Sequence, residues 1–362
     1  MTASILNRSE AALNPLPSKV GVIVVNWNGR RFLADCLTSV TRTDYPPERL
    51  RLILVDNAST DGSADWAEQH FRSIEVIRNN ANLGFAAGNN LGIKRAMAAG
   101  AEFVVVLNYD TVVEPNWLNE LVQAAGSDNS IGSVQSLVLL HDEPGLVNTS
   151  GNQLHYLGFG FCGQYRSDRN EVSGQIKEIA YASGTAVLYR TAALQAVGLF
   201  DEDLFMYHED LDLGWRLRLA GYLNVLAPRS VVYHKYSFSR NPGKFFWMER
   251  NRQIVLLKNC RLRTLWLIGL PWLIMELGLP GYALINGWFG WKIKSTWAAW
   301  ACVFSTLKKR RQIQTLRRSA DRSISRVMTT RIEFEGIDNP ILNRLVNPLL
   351  AVYWQLIKWL IW

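Results

Sequence analysis

Residues 20–63 read VGVIVVNWNGRRFLADCLTSVTRTDYPPERLRLILVDNASTDGS. VGVIVV and RLILVD are short and almost wholly apolar, the pattern of strands buried on both faces, and the helical run RRFLADCLTSV lies between them. SADWAEQHF, IEVIR, AAGNNLGIKRAMAAG and EFVVVL continue the alternation with short polar breaks. Strands alternating with helices predict an α/β fold with a Rossmann-like, mostly parallel sheet flanked by helices. Such a sheet gathers its binding residues at the carboxyl ends of its strands, where Asn26, Asp56 and Asp110 fall.

After Asp110 the regularity weakens. Strand-like runs such as IGSVQSLVLL mix with Gly, Asn and His across residues 126–180, AVLYR reads as a strand at 186–190, and an acidic segment occupies 201–213. A change of character follows near residue 240. Residues 236–362 hold 20 Lys and Arg against 6 Asp and Glu, a net +14, while residues 1–235 hold 19 against 25, a net −6. The same C-terminal third carries 10 of the 14 tryptophans, a mixture that suits a lipid interface better than a nucleic-acid groove. Cys36, Cys162, Cys260 and Cys302 form no C-x-x-C pair and read as reduced thiols in a cytoplasmic setting. Residues 1–19 lack an unbroken apolar core, so no export signal is expected.

Three stations carry carboxylates. In LILVDNASTDGS, Asp56 ends a strand and can accept hydrogen bonds from a base edge or ribose, although Asp and Ser also simply make turns, and Asp61 reads as such a cap. VVVLNYD delivers Asn108, Tyr109 and Asp110 at a strand end. Mg²⁺ and Mn²⁺ bind hard oxygens, often one or two carboxylates plus substrate phosphates, so Asp110 is the candidate metal ligand, with a turn cap as the plainer reading. LFDEDLFMYHEDLDLGWRLRLAGY crowds Asp201, Glu202, Asp203, Glu209, Asp210 and Asp212 together among aromatic residues that hold them against the core. Crowded carboxylates raise at least one pKa, a useful state for a general base; a solvated acidic loop is the alternative. VVYHKY ends a strand with His234, a further possible metal ligand through a neutral ring nitrogen.

VVNWNG, VDNASTDGS, RNNANLGFAAGNNLGI, LNYD, ASGTAVLYR and FMYHEDLDLGWR stand in one order along residues 20–236. In that order they resemble glycosyltransferase family 2, inverting enzymes with the nucleotide-sugar-binding GT-A fold, and within it the branch that includes rhamnosyltransferases. The resemblance implies a nucleotide-sugar half at 20–110 and an acceptor half at 111–240, while the basic, tryptophan-rich composition of 241–362 leads us to expect membrane-associated helices there. It implies nucleotide contacts at Asn26 and Asp56. Arg78, Asn82, Gly84, Phe85, Gly88, Asn89 and Asn90 would line the donor pocket, with Asn57, Asn108, Gly184, Trp215 and Arg216 also in the substrate site. Asp110 would hold Mg²⁺ or Mn²⁺, with His234 beside it, and Asp210 would be the catalytic base, with Glu209 its nearest competitor. The family's Asp-x-Asp has Asn108 in place of its first acid here. The branch implies rhamnose carried on dTDP as the first donor to test and a lipid-diphosphate-linked saccharide as acceptor, in cell-surface polysaccharide synthesis. A GT-A module that binds sugar or lipid without catalysis is the alternative.

Between Arg263 and Lys292 the single charge is Glu276, and Pro271 and Pro280 interrupt the run. Helical halves of about a dozen residues reach about 18 Å, short of a hydrocarbon core of about 30 Å. With basic flanks on both sides, a re-entrant or in-plane pair on the cytoplasmic face is expected over a crossing. Packing on the catalytic domain, or a homo-oligomer interface, would bury the same residues. KKRRQIQTLRR at 308–318 suits anionic headgroups, and Arg240, Lys244, Arg250 and Arg252 are placed to hold an acceptor diphosphate. A dinucleotide oxidoreductase needs G-x-G-x-x-G after its first strand, where this chain has NWNGR.

Overall fold

The structure, a computed structural model, describes residues 17–235, 242–333 and 339–361. The first half builds as its pattern predicts: β1 (Val20–Asn26), α1 (Arg30–Thr41), β2 (Leu50–Asp56), α2 (Ser63–His70), β3 (Glu75–Arg78), α3 (Gly84–Ala98) and β4 (Phe103–Asn108). Strand order β3-β2-β1-β4 is parallel throughout, with Asn26 opposite Asp56 and Val25 opposite Asn108, so the polar strand ends share one rim. Alternate residues of β1 point to opposite faces. Val20, Val22 and Val24 meet Leu33, Leu37 and Trp117 on one side, while Ile23 meets Ile53, Ile93 and Ala96 on the other.

The second half consists of β5 (Thr111–Val113), α4 (Trp117–Gly126), β6 (Ile131–Leu140), β7 (Val147–Thr149), β8 (Asn152–His155), β9 (Gly160–Cys162), β10 (Lys177–Glu178), β11 (Ala186–Arg190), α5 (Thr191–Val197), α6 (Glu209–Leu219) and β12 (Leu223–His234). It extends the sheet to ten strands in the order β10-β12-β6-β11-β4-β1-β2-β3, with β5 on β12 and β7 on β6. Here the sheet is mixed. β11 runs antiparallel between β4 and β6, while β12 pairs parallel with β6. The reversal matters for the site, because it brings the start of β11 to the carboxyl end of β4, with Ala186 opposite Leu107.

The C-terminal third forms α7 (Pro242–Asn259), α8 (Leu262–Ile285), α9 (Phe289–Ala301), α10 (Val303–Leu316), α11 (Asp321–Ser325), β13 (Met328–Thr329) and α12 (Asn347–Ile357). The change of composition near residue 240 is not a break in packing. Leu154, Phe161, Tyr181 and Trp215 share one buried cluster with Ile254, Ile268, Ala299 and Trp354, and β13 adds a strand to β8.

The expected interruption of the apolar run is corrected: α8 is one continuous helix of 24 residues with Pro271 and Pro280 inside it. A proline inside a helix removes one hydrogen bond and costs about 3 kcal/mol. Burial of Leu267, Ile268, Pro271 and Ala283 offsets it. At about 1.5 Å per residue the helix is about 36 Å long, and among the described residues it alone has the length and hydropathy to cross a bilayer. Its one carboxylate faces the neighbouring helices. Glu276 pairs with Arg252 of α7 and with Lys292 of α9 (2.8 Å), and both cations also bond Glu249.

Candidate active site

The loops after β1 and β2 are laced together beneath the rim. The buried Asn26 amide lies 2.9 Å from Asp56 Oδ1, 3.0 Å from Ser59 Oγ and 2.7 Å from Ser63 Oγ, donating to them, and Asp56 Oδ2 accepts the Ser59 N–H (3.0 Å). Asp61 precedes Gly62, the N-cap of α2, and braces the turn there by accepting the N–H groups of Ser63 (3.1 Å) and Arg30 (2.9 Å). Asn57 donates to the Gly84 carbonyl (2.9 Å) and so pins the start of α3. Gly84 needs its φ of +78°, and a Cβ there would sit 2.5 Å from Phe205. Above this lacing stands Trp27, 53% exposed. Sequence reasoning did not single it out, although a large aromatic residue directly after a buried strand end was the available signal.

At the end of β4, Asp110 Oδ1 lies 3.2 Å from His234 Nε2. His234 Nδ1 lies 2.9 Å from Asn148 Oδ1, a contact that orients the ring with Nε2 toward Asp110. A carboxylate oxygen and a ring nitrogen at this distance suit neighbouring ligands of one divalent ion, whose bonds are about 2.1 Å. Among the described residues no third His, Cys, Asp or Glu joins them, so diphosphate and water oxygens would complete the shell. Asn148 is a residue that sequence reasoning missed, since it lies 86 positions from the ring it orients.

The acidic segment sorts its own members. Asp201 pairs with Lys258 and Lys309, Glu202 with Lys94 (3.7 Å), Asp203 with Lys309 (2.6 Å), and Asp212 with Arg216 (2.9 Å) and Lys258 (2.8 Å). Among the described residues, Glu209 and Asp210 have no such partner. Glu209 is buried, its Oε2 is without a hydrogen bond, and burial together with the neighbouring Asp210 charge pushes its pKa well above the usual carboxylate range. Asp210 keeps part of its surface open and accepts the N–H groups of Gly184 (3.0 Å) and Leu211 (2.7 Å). Burial raises its pKa as well, against those bonds. The Asn108 N–H donates to Thr185 O (2.9 Å) while the adjacent Gly184 holds Asp210. Asp110 and Asp210 therefore hang from the two sides of one β4–β11 junction.

Several residues expected to contact substrate turn their side chains to the protein. Trp215 is buried in the cluster shared with the C-terminal helices, and Arg216 is taken up by Asp212 and the carbonyls of Val197, Gly198 and Leu199. Asn90 clamps Phe200 and Glu202 to α3, buried Asn89 donates to Phe85 O, and Gly88 lets α3 close on Val25 and Asn57, so these three brace the start of α3 behind the rim. Asn26 does the same for the β1 loop. Arg78 turns outward to Asp65 (2.7 Å) and Glu68 (2.8 Å) of α2. Arg252 is buried with Glu249, Glu276 and the Leu157 carbonyl, and Arg250 bonds Asp203 O and Asn251, because a guanidinium enclosed by packed helices must find its acceptors inside the protein. Neither is free to hold an acceptor diphosphate. Of that basic set, Lys244 stays near the site, 5.6 Å over the Tyr207 ring, and Arg240 lies outside the described residues. Asn82 and Phe85 remain at the open edge, with Phe85 against Gly184.

The fold is that of GT-A glycosyltransferases. S. aureus TarS residues 1–349 superposes with a TM-score of 0.52 at 18% identity, covering 92% of this chain and 86% of that one. GalNAc-T7 with UDP, GalNAc and Mn²⁺ gives 0.55 at 14% identity, covering 68% and 48%. The chain belongs to the glycosyltransferase-like family 2, whose profile matches residues 17–254. It is 31% identical over 246 residues to an N-acetylglucosaminyl-diphospho-decaprenol L-rhamnosyltransferase of Mycobacterium tuberculosis, covering 61% of this chain and 78% of that protein. To a poly-beta-1,6-N-acetyl-D-glucosamine synthase of Staphylococcus epidermidis it is 26% identical, covering 59% and 49%.

Proposed function

We propose that this glycosyltransferase moves a sugar from a nucleotide-sugar donor to a lipid-diphosphate-linked saccharide in one inverting displacement, with dTDP-rhamnose the first donor to test. The observation that carries the reading is the sorting of the acidic segment, which leaves Asp210 partly open and without a cation on the rim that Asp110 and His234 occupy. The mycobacterial relative, whose name states rhamnose and a decaprenol-diphosphate acceptor, supports the choice of substrates.

In the displacement, Asp210 Oδ takes the proton of the acceptor hydroxyl as that oxygen bonds the anomeric carbon, and the bond from that carbon to the nucleotide diphosphate breaks on the opposite face. Mg²⁺ or Mn²⁺ held by Asp110 and His234 would supply positive charge to the departing diphosphate. The Gly184 and Leu211 N–H groups fix the Asp210 oxygens before the acceptor arrives. Trp27, a rigid apolar face at the rim, suits stacking by the nucleobase.

The lipid-linked acceptor fits the C-terminal helices. Trp266, Leu270, Leu273, Leu277 and Leu284 of α8 are exposed at helical spacing, and Trp297, Trp300 and Phe304 continue the apolar surface over α9 and α10. We read this surface as seated on the cytoplasmic leaflet, with α8 lying along it. Glu276, past the midpoint of α8, is held by Arg252, which itself bonds Leu157 O and stands 4.4 Å over the Phe159 ring, so a crossing helix would drag that part of the catalytic region into hydrocarbon.

The test is nucleotide release from a panel of nucleotide sugars with the lipid-diphosphate saccharide present, under Mg²⁺, Mn²⁺ or chelator. Asp210→Asn should lower kcat by at least about 10³-fold with donor KM little changed. Asp110→Ala should raise the metal concentration needed for half-maximal rate. Release from no donor would end the enzyme reading.

A further inference from the structure

The segment leading into α6 has an unusual backbone. Phe205 (φ 59°, ψ −64°), Tyr207 (φ 65°) and His208 (φ 67°) all occupy the left-handed half of the map, and none is glycine. The Met206 N–H closes a tight turn on Leu204 O at 2.6 Å, a geometry that side-chain-bearing residues adopt only when their surroundings impose it.

What imposes it comes from α7. Asn251 is fully buried, and its Nδ2 lies 2.8 Å from Leu204 O, 3.0 Å from Met206 O and 2.7 Å from Tyr207 O, so one amide gathers three carbonyls of the strained turn. Arg250 orients that amide by donating to Asn251 Oδ1 (2.8 Å) and bonds Asp203 O (2.8 Å) just upstream. Trp247, one helical turn back, stacks on Phe205 with ring centroids 4.8 Å apart. The turn touches both halves of the site. Phe205 O accepts the Ala86 N–H (3.1 Å) at the start of α3, and two residues beyond Tyr207 the chain enters Glu209 and Asp210.

We propose that Asn251 is a positioning residue for sugar transfer: it holds the 204–207 turn in its strained form and through it sets Asp210 against the acceptor, making the C-terminal helices part of the catalytic apparatus. This rests on Asp210 being the base. A packing residue at this place would affect folding and all ligands alike, whereas a positioning residue affects the proton-transfer step.

The experiment compares wild type, Asn251→Asp, Arg250→Gln and Asp210→Asn in full-length protein. It measures kcat, both KM values, the pH dependence of kcat/KM, binding of the donor's nucleoside diphosphate, and amide hydrogen exchange across 203–211. Asn251→Asp keeps the volume but removes both N–H donors. Its kcat should fall at least about 30-fold, with nucleotide Kd and both KM values within about 3-fold of wild type, a displaced acid limb, and faster exchange confined to the turn and the start of α6. Arg250→Gln, which leaves the amide but withdraws its orienting donor, should move the same quantities by a smaller factor and keeps the test open if Asn251→Asp does not fold. Unchanged kcat and acid limb in these variants while Asp210→Asn is inactive overturns the proposal alone, as does loss of nucleotide binding in step with kcat. An active Asp210→Asn overturns the base assignment instead.

Discussion

Glu209 and Asp210 are neighbours in sequence and differ in surroundings. Glu209 faces inward with an unbonded oxygen, whereas Asp210 keeps open surface and two N–H donors. A base must reach its substrate, so exposure favours Asp210 for the proposed role where pKa alone does not, both groups being raised by burial. The sign for activity follows. As the proposed base, Asp210 would work ionised; its pKa is raised, so kcat/KM should fall as pH drops through that raised value, placing the acid limb above the ordinary Asp value of about 3.9. For stability, a carboxyl with a raised folded pKa favours the fold while protonated and disfavours it as pH climbs through that pKa. Glu209→Gln should therefore gain in Tm over wild type with rising pH; a constant difference would show that Glu209 is not held protonated. Asn26, Asn57 and Asn90 are polar residues at the right places in sequence, but each turns its amide to the protein. Residue identity marked the rim, and contact direction was not legible.

Among the elements, α8 departs furthest from its sequence reading. Two prolines and a hydropathic stretch suggested two short halves, yet one helix forms because its inner face packs and its lone acid is neutralised. Arg252 and Lys292 reach Glu276 from α7 and α9, 24 and 16 residues away, a convergence that periodicity does not encode. Removing one member of a buried ion network leaves the others uncompensated, which costs about 3–5 kcal/mol. Glu276→Gln should accordingly lower the free energy of unfolding by roughly that amount in urea titration. A change below about 1 kcal/mol, the level of surface pairs, would mean that water reaches the network. β11 makes the complementary point. AVLYR was readable as a strand, but nothing in five residues states its direction, and that direction brings Gly184 to Asp110's end of β4.

For the whole molecule, the sheet and the C-terminal helices share a core while the helices show solvent a broad apolar surface of Trp, Leu and Phe. An exposed apolar surface of this kind calls for a cover, and the proposed one is a lipid leaflet. The full-length protein should float with vesicles containing anionic lipid. Leu273→Lys with Leu277→Lys, both on the exposed stripe, should cut recovery at least about 10-fold, each lysine costing on the order of 2–3 kcal/mol in hydrocarbon. Recovery unchanged by the two lysines, or self-association without lipid, would give that surface to a second copy of the chain.

By itself the sequence determined the α/β class, the order of the strand-end motifs and the contrast between an acidic first part and a basic, tryptophan-rich end. These are written locally, in periods of two and 3.6 and in runs of charge. Tertiary structure alone decided which acids lack a cation, which arginines are already bound, that Asn148 orients His234, and that Asn251 bonds the turn before Asp210. Each of these depends on side chains far apart in the chain meeting at hydrogen-bond distance, where a difference of one partner decides whether a buried charge is stabilised, neutralised or left to react.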